Sequence, residues 1–271
     1  RNLELLHSYN EDAPTLLTVL DHTVTPMGSR MMRRWIVLPL KEKGPVNERL
    51  DMVELFIRDD TLAEKLRSHF RQMGDMERLI SKVAVGRVNP REVVQIKKAL
   101  NATESVSTLL KASGHPALHK YAEQLNPCPS IRDRIDREVH EDPPLQLAKG
   151  NIIREGVSEE LDELRHIAHS GKDFLEQIRD REHERTGIPS LKIGYNNVFG
   201  YYLEVTNTHK AKVPDDWHRK QTLVNSERYI TEELKEYEQK ILGAEEKIMA
   251  LESRLFNELV VAMTDYIKPV Q

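Results

Sequence analysis

The sequence predicts a mainly α-helical fold: an irregular helical core and a long antiparallel helical arm that carries a small β-rich module at its tip. Three stretches carry that prediction. From Leu234 the apolar positions are Leu234, Tyr237, Ile241, Ala244, Ile248, Leu251 and Leu255. Their alternating steps of three and four lay one stripe along a helix, as in a coiled-coil seam. Leu161, Leu164, Ile167, Ala168, Phe174, Leu175 and Ile178 form a matching stripe upstream. Between the two, residues 187–230 lose the helical period and become β-rich. Two amphipathic helices joined by a short excursion bury their stripes on each other, which makes them antiparallel.

In chain order, residues 1–157 read as the helical core. Leu16, Leu17 and Leu20 share a helical face, and Thr25-Pro26-Met27-Gly28 is a helix start. Ser29 to Leu38 mixes Arg30, Arg33 and Arg34 with Met31, Met32, Trp35 and Ile36. A basic amphipathic helix can meet nucleic acid, but the preferred reading is that these arginines face solvent or pair with acids of the core. Pro39 and Pro45 are expected to break the chain. Helical patterns follow over 47–57, 60–70 and 75–85, then from Pro90 through Leu100, 103–110, 119–125 and 131–138. Residues 145–154 read as extended.

The arm begins with a helix over about 158–186. Gly187 and Pro189 stop it. Residues 187–230 form the tip: Leu191 to Tyr195 alternates with period two, Asn196-Asn197 is a turn, and Phe199 to Val205 is a second strand. A loop with Pro214 and Asp215-Asp216 leads to Gln221–Ile230, read as one further strand. The returning helix, over 231–271 with Thr231 as its cap, is expected to run to Lys268 and stop at Pro269. At 1.5 Å per residue it would span roughly 55 Å.

The chain has 271 residues, 39% hydrophobic and 31% charged, with net charge −4. The tip holds six Lys or Arg against four acids, so it is net +2 and the remainder −6. A basic tip on an acidic body suits a polyanion, although a solvated loop accounts for it equally. The single cysteine, Cys128, excludes an internal disulfide and fits a reducing compartment. No apolar run approaches the ~20 residues that span a bilayer. Arg1 in place of Met suggests a piece of a longer protein.

The motif search is negative for catalysis. No phosphate loop, nucleophile elbow or dinucleotide fingerprint is present; the one Gly-Lys, Gly171-Lys172, lies inside a helical pattern. His166, His169 and His183 read as surface residues of a charged helix, not metal ligands. Tyr195, Phe199, Tyr201 and Tyr202 could stack on bases, but as a small module's aromatics they read as its core.

The runs 19–30 (Val-Leu-Asp-His-Thr-Val-Thr-Pro-Met-Gly-Ser-Arg), 74–78 (Gly-Asp-Met-Glu-Arg), 159–165, 200–205 and 221–229 together resemble the MutS family of DNA mismatch repair proteins. Val19-Leu20-Asp21-His22-Thr23-Val24-Thr25-Pro26-Met27-Gly28-Ser29-Arg30, with Arg34-Trp35 and Pro39-Leu40, is similar to the opening of the family's core. Gly74-Asp75-Met76-Glu77-Arg78 and Glu159-Glu160-Leu161-Asp162-Glu163-Leu164-Arg165 resemble its next helix and the start of its lever. Gly200-Tyr201-Tyr202-Leu203-Glu204-Val205 and Gln221-Thr222-Leu223-Val224-Asn225-Ser226-Glu227-Arg228-Tyr229 resemble its clamp. The motifs stand in order along essentially the whole chain.

The resemblance implies a core, two lever helices and a clamp that grips the phosphate backbone of double-stranded DNA without reading the mismatch. The expected backbone contacts are Lys192, Asn196, Asn197, Lys210, Lys212, Arg219, Lys220, Asn225 and Arg228, chiefly those at the outer edge and near the returning helix. Where relatives carry Lys or Arg this chain has Val224, so one contact is expected to be missing or shifted to Lys220. The mismatch-reading Phe-x-Glu wedge and the ATPase, with its ATP and magnesium, belong to other domains of the family protein, and neither is expected here. Catalytic residues, metal ligands and a cofactor of this piece's own are likewise not expected. The full-length protein is expected to be a cytoplasmic, nucleoid-associated bacterial homodimer that engages downstream repair factors and no membrane. Two alternatives stay open: a coiled-coil interaction arm that dimerises through the 234–255 stripe without binding DNA, and a relative acting in recombination.

Overall fold

The computed structural model describes residues 4–8 and 13–270. Residues 1–3 and 9–12 of the expected core, and Gln271, lie outside them. The chain divides into two compact units: residues 1–147, 151–153 and 255–271, and residues 148–150 with 154–254.

The first unit is helical. Its elements are α1 (Leu16–Leu20), α2 (Pro26–Val37), α3 (Lys43–Arg58), α4 (Asp60–Met73), α5 (Met76–Ala84), α6 (Pro90–Ala112), α7 (Pro116–Gln124) and α8 (Pro129–Glu138). Side-chain caps explain most starts. The Thr25 hydroxyl accepts from Gly28 N, the Asp75 carboxylate from Arg78 N, and Asn89 and Glu92 form a reciprocal capping box. Leu62 and Leu66 of α4 pack with Val106 and Leu110 of α6 and Leu118 and Ala122 of α7. Arg30 of α2 pairs with Asp75 and Glu77, so this arginine is engaged within the core. Its hydrogen bonds hold the Asp75 carboxyl below its ordinary value.

Four expectations for this unit change. Residues 90–110 form one helix, not two. Thr103 does not interrupt it, because its hydroxyl donates back to Ala99 O at 3.0 Å. Pro45 does not break the chain but sits in the first turn of α3, where no N–H is needed. Pro269 likewise lies in the first turn of a short helix, α11 (Ile267–Val270), after the preceding α-helix has ended at Met263. Residues 145–154, read as extended, contain a 3-10 turn (Leu147–Lys149) and a single bridge between Val139 and Ile153.

The second unit pairs α9 (Glu159–Thr186) with α10 (Glu232–Met263), of which the residues from Leu255 group with the first unit. Ser158 caps α9, and Gly187 ends it in the left-handed conformation with its N–H on His183 O. Thr231 caps α10 through Leu234 N. The antiparallel register is read from contacts along the pair: Arg165 with Glu252, Lys172 with Glu245, Phe174 stacked on Tyr237, and Arg181 with Glu233. Leu161, Ala168, Leu175 and Ile178 face Leu234, Ile241, Ala244 and Leu251 as buried seam residues. Ile167, expected in that seam, is instead exposed. Gly171 is buried there, and a Cβ on it would stand 2.5 Å from Ile241 Cγ1. The absence of a side chain at 171 is what makes room for Ile241 here.

Four strands follow α9: β1 (Lys192–Asn196), β2 (Gly200–Thr206), β3 (His218–Thr222) and β4 (Ser226–Ile230). They form an antiparallel sheet in the order β1-β2-β4-β3. The single strand expected over 221–230 is thus a hairpin, turning at 223–225 with Leu223 N bonded to Ser226 O. One sheet face packs on the helices. Leu203, Val205 and Tyr229 join Leu175 and Ile178 of α9, Leu234 and Ile241 of α10, and Trp217 in one cluster. Tyr202 is buried and Tyr201 half-buried, whereas Tyr195 is exposed.

The seam generates a test. Gly171→Ala inserts a methyl where packing is already tight, at a cost of about 1–3 kcal/mol, against a gain of about 1 kcal/mol in helix propensity. Urea melts should show net destabilisation. Combined with Ile241→Ala, the two costs should be less than additive; full additivity would mean that the seam relaxes freely.

Candidate nucleic-acid interface

Sheet register sorts the tip's polar residues onto two faces. Lys192, Glu204, Arg228 and Gln221 form a transverse row, one residue from each strand. Arg228 sits mid-row: its Nε donates to Glu204 at 2.9 Å, its Nη1 to Gln221 Oε1 at 2.9 Å, and its guanidinium lies 4.3 Å from the Tyr202 ring centre. On the opposite face, Val205 pairs with Glu227 and Glu227 with Thr222. The pairing slips between Arg219 and Gln221, leaving Lys220 as the extra residue of a β-bulge. Since a one-residue slip exchanges faces, the bulge sets Arg219 on the Glu227 side and Gln221 on the Arg228 side.

Glu227 is the electrostatic centre of its face. The residue is only 3% exposed. Lys210 Nζ lies 2.7 Å and Arg219 Nη1 3.3 Å from the same oxygen, Oε1, and the Tyr229 hydroxyl donates to Oε2. The Lys210 hydrogen bond, then the Tyr229 one, pulls the Glu227 carboxyl down to about 2. Burial, then the bond to Glu227, pushes the Tyr229 hydroxyl up to about 12. Glu227 is therefore ionised and Tyr229 neutral at neutral pH.

The expected contact residues do not form one patch. Asn196 and Asn197 lie at the β1–β2 turn, where the Asn196 side chain accepts from Val198 N. Asn225 is exposed in the β3–β4 turn beside Val224, which is 91% exposed. Asn207 fastens that turn, its N–H on Asn225 O and its side-chain amide on Val224 O at 2.8 Å. Lys210 and Lys212 lie on a 3-10 turn (Asn207–Lys212). Lys212 Nζ donates to Gly187 O at 2.9 Å, which caps the end of α9. Lys192 and Lys220 are exposed, and among the described residues no carboxylate stands at ion-pairing distance from either.

Sequence reasoning missed three residues: Glu227, Asn207 and Glu238. Glu238 of α10 accepts from Tyr201 N at 3.0 Å. It lies where a Cβ on Gly200 would be, and Gly200 has φ +80°, so only glycine admits the helix this close to β2. By residue type Glu227 and Glu238 are surface acids; register and packing bury Glu227 and hold Glu238, half-buried, against Gly200 and the Tyr201 amide.

The Phe-x-Glu pattern itself does occur, as Phe174-Leu175-Glu176 and Phe256-Asn257-Glu258. Both lie mid-helix: Phe174 is stacked on Tyr237 and Phe256 is buried, so neither projects as a wedge. Among the described residues no group of three or more His, Cys, Asp or Glu could hold a metal ion, and no helix is long and apolar enough to cross a membrane.

The buried carboxylate sets a pH dependence. Because the folded Glu227 value lies below its ordinary 4.5, its contribution to stability is full above about 4.5 and is lost as pH falls toward about 2. In urea melts across that window, Glu227→Gln should flatten the pH dependence relative to the parent. Equal slopes would show that Glu227 is not held as described.

Comparison with known proteins bears on the whole chain. The MutS domain III family model matches residues 1–271. The chain is 61% identical over 271 residues to the DNA mismatch repair protein MutS of Parabacteroides distasonis and 57% identical to that of Bacteroides fragilis. It is 51% identical to that of Flavobacterium psychrophilum. In each case the match covers 100% of this chain and 31% of the relative, so the chain spans about a third of the length of those proteins. A family model matched from end to end, with relatives this similar, makes the chain a member of the MutS domain III family.

Proposed function

We propose that this chain is the backbone-gripping middle part of a DNA mismatch repair protein. The sheet of 192–230 meets duplex phosphates through lysine and arginine side chains, and α9 and α10 act as levers toward an ATPase elsewhere in the longer protein. ATP and magnesium belong to that ATPase; this chain supplies no catalytic group. The homodimer, the downstream repair factors and the cytoplasmic, nucleoid-associated setting are properties of the longer protein. Core 1–157, levers 158–186 and 231–271, and clamp 187–230 are the proposed divisions of labour.

The observation that carries this reading is the state of the cations. Lys192 and Lys220 are exposed and have no carboxylate partner among the described residues, and Lys210 and Arg219 share one carboxylate between two positive charges. A surface that leaves positive charge uncompensated on an otherwise acidic chain favours a polyanion. Lys212 and Arg228 are better read as holding the module together, since Lys212 Nζ donates to Gly187 O and Arg228, its side chain 20% exposed, bridges Glu204 and Gln221. Against the interaction-arm alternative, the stripe residues Leu234, Ile241, Ala244 and Leu251 are already buried within this one chain.

Fluorescence anisotropy tests the reading, with a labelled homoduplex and a single-mismatch duplex at low and moderate salt. Weak binding is expected, with Kd of order 10⁻⁴–10⁻⁶ M, equal for both duplexes and falling with salt. Lys192→Ala with Lys220→Ala should weaken it and make the salt slope shallower by about 0.9 for each phosphate no longer neutralised. The quadruple alanine variant at Lys210, Lys212, Arg219 and Lys220 should abolish it. Absence of binding even at low salt would favour the interaction arm, and a preference for the mismatch would place base reading in this chain.

A further inference from the structure

The feature left unexplained by a merely basic surface is Glu227. A buried acid facing the cations of a DNA-gripping module reduces its positive charge, so its presence there opposes the attraction it sits beside. Moreover, Glu227 has the surroundings of a built site. It lies on the central strand β4, and its carboxylate receives donors from three places: the 3-10 turn (Lys210), the edge strand (Arg219) and its own strand (Tyr229). Thr222 Oγ1 adds a fourth at 3.5 Å.

We propose that Glu227 is a positioning residue for phosphate recognition: it seats Lys210 and Arg219 on one carboxylate oxygen, so that their outward donors make a pre-formed two-cation notch for a single backbone phosphate. The inference rests on the reading of this module as the DNA-gripping surface. Geometry supplies the argument. Both nitrogens lie on Oε1, at 2.7 and 3.3 Å, so they are within about 6 Å of each other. A phosphate can touch both at that spacing. An ammonium has three donors and a guanidinium five, so each cation keeps donors free after meeting Glu227. The side chains are 42% and 62% exposed, whereas that of Glu227 is 4% exposed. The anion is thus inside and the cations outside, with net charge +1 facing solvent. Without the buried anchor two long side chains from separate elements would repel each other and have to be ordered by the phosphate itself. Binding would then bear the full cost of immobilising both.

One experiment separates the possibilities. The 271-residue chain and its Glu227→Gln variant, which keeps shape and an acceptor for Tyr229, are compared by anisotropy on homoduplex DNA over a salt series. The same substitution is repeated in a Lys210→Gln/Arg219→Gln background, with melting temperatures recorded throughout. A positioning role predicts that Glu227→Gln weakens binding about fivefold or more, from two side chains no longer pre-ordered. It also predicts a salt slope shallower by about 0.9, equivalent to one phosphate, and no further effect of Glu227→Gln once Lys210 and Arg219 are gone. Tighter binding with a steeper slope would overturn it, because Glu227 would then only neutralise charge. An undiminished effect in the Lys210→Gln/Arg219→Gln background would also overturn it, because Glu227 would then only hold the fold. A parent chain that does not bind DNA at low salt would overturn the proposed function itself, whereas a binding parent with an indifferent Glu227→Gln variant overturns this inference alone.

Discussion

A four-stranded sheet of five- and seven-residue strands cannot sustain a hydrophobic core by itself, and this constraint shapes the second unit. It has one apolar face to bury, and the only surface offered is the helix pair from which it emerges. Leu203, Val205 and Tyr229 therefore share a single cluster with Leu175, Ile178, Leu234 and Ile241. Helices and sheet are one cooperative object. The seam must close tightly before the sheet has a floor, and a glycine at 171 lets it close. Glu238 adds a polar tie from α10 to the Tyr201 amide, next to Gly200, whose positive-φ backbone and missing side chain leave room for it. Displacement of either helix in this region acts directly on the sheet, because no independent layer lies between them.

The same economy governs the charges. Each cation of the module either serves the fold or faces water. Lys212 closes the end of α9, and Arg228 bridges two strands while covering Tyr202. Lys192 and Lys220 face solvent. Lys210 and Arg219 do both, through a carboxylate that burial alone would make costly and that their two charges stabilise. Counting lysines and arginines in the sequence overstates the charge available to a partner, and burial of Glu227 decides where the remainder points.

Much of the architecture was legible in advance, because helix ends are written locally. Ser158, Gly187 and Thr231 are caps whose chemistry acts within four residues, and all three delimit helices as read. Periodicity says less about rotation: the stripe places Ile167 in the seam, but Gly171 is the residue buried against Ile241 and Ile167 is exposed. The β3–β4 hairpin was read as one strand because its turn at 223–225 holds no glycine or proline. The turn is fastened instead by Asn207, which arrives from elsewhere in the chain. The candidate contacts were legible as residue types, but their roles were not. Nothing local distinguishes Lys212, which caps a helix, from Lys220, which faces water. The β3–β4 register brings Arg219 to Glu227, and the 3-10 turn brings Lys210.

The bulge at Lys220 has a consequence for how the sheet meets other molecules. β1 and β3 are its open edges, and an open edge is a template onto which any extended chain can add a strand. Both edges are only five residues long, and β3 is interrupted by an unpaired lysine beside an arginine. Such an edge offers no uninterrupted ladder of main-chain groups. The β3 edge is thereby ill suited to recognition by strand addition, and a partner there is met by side-chain charge and shape, an interaction that salt can weaken and that forms and breaks without remodelling the backbone.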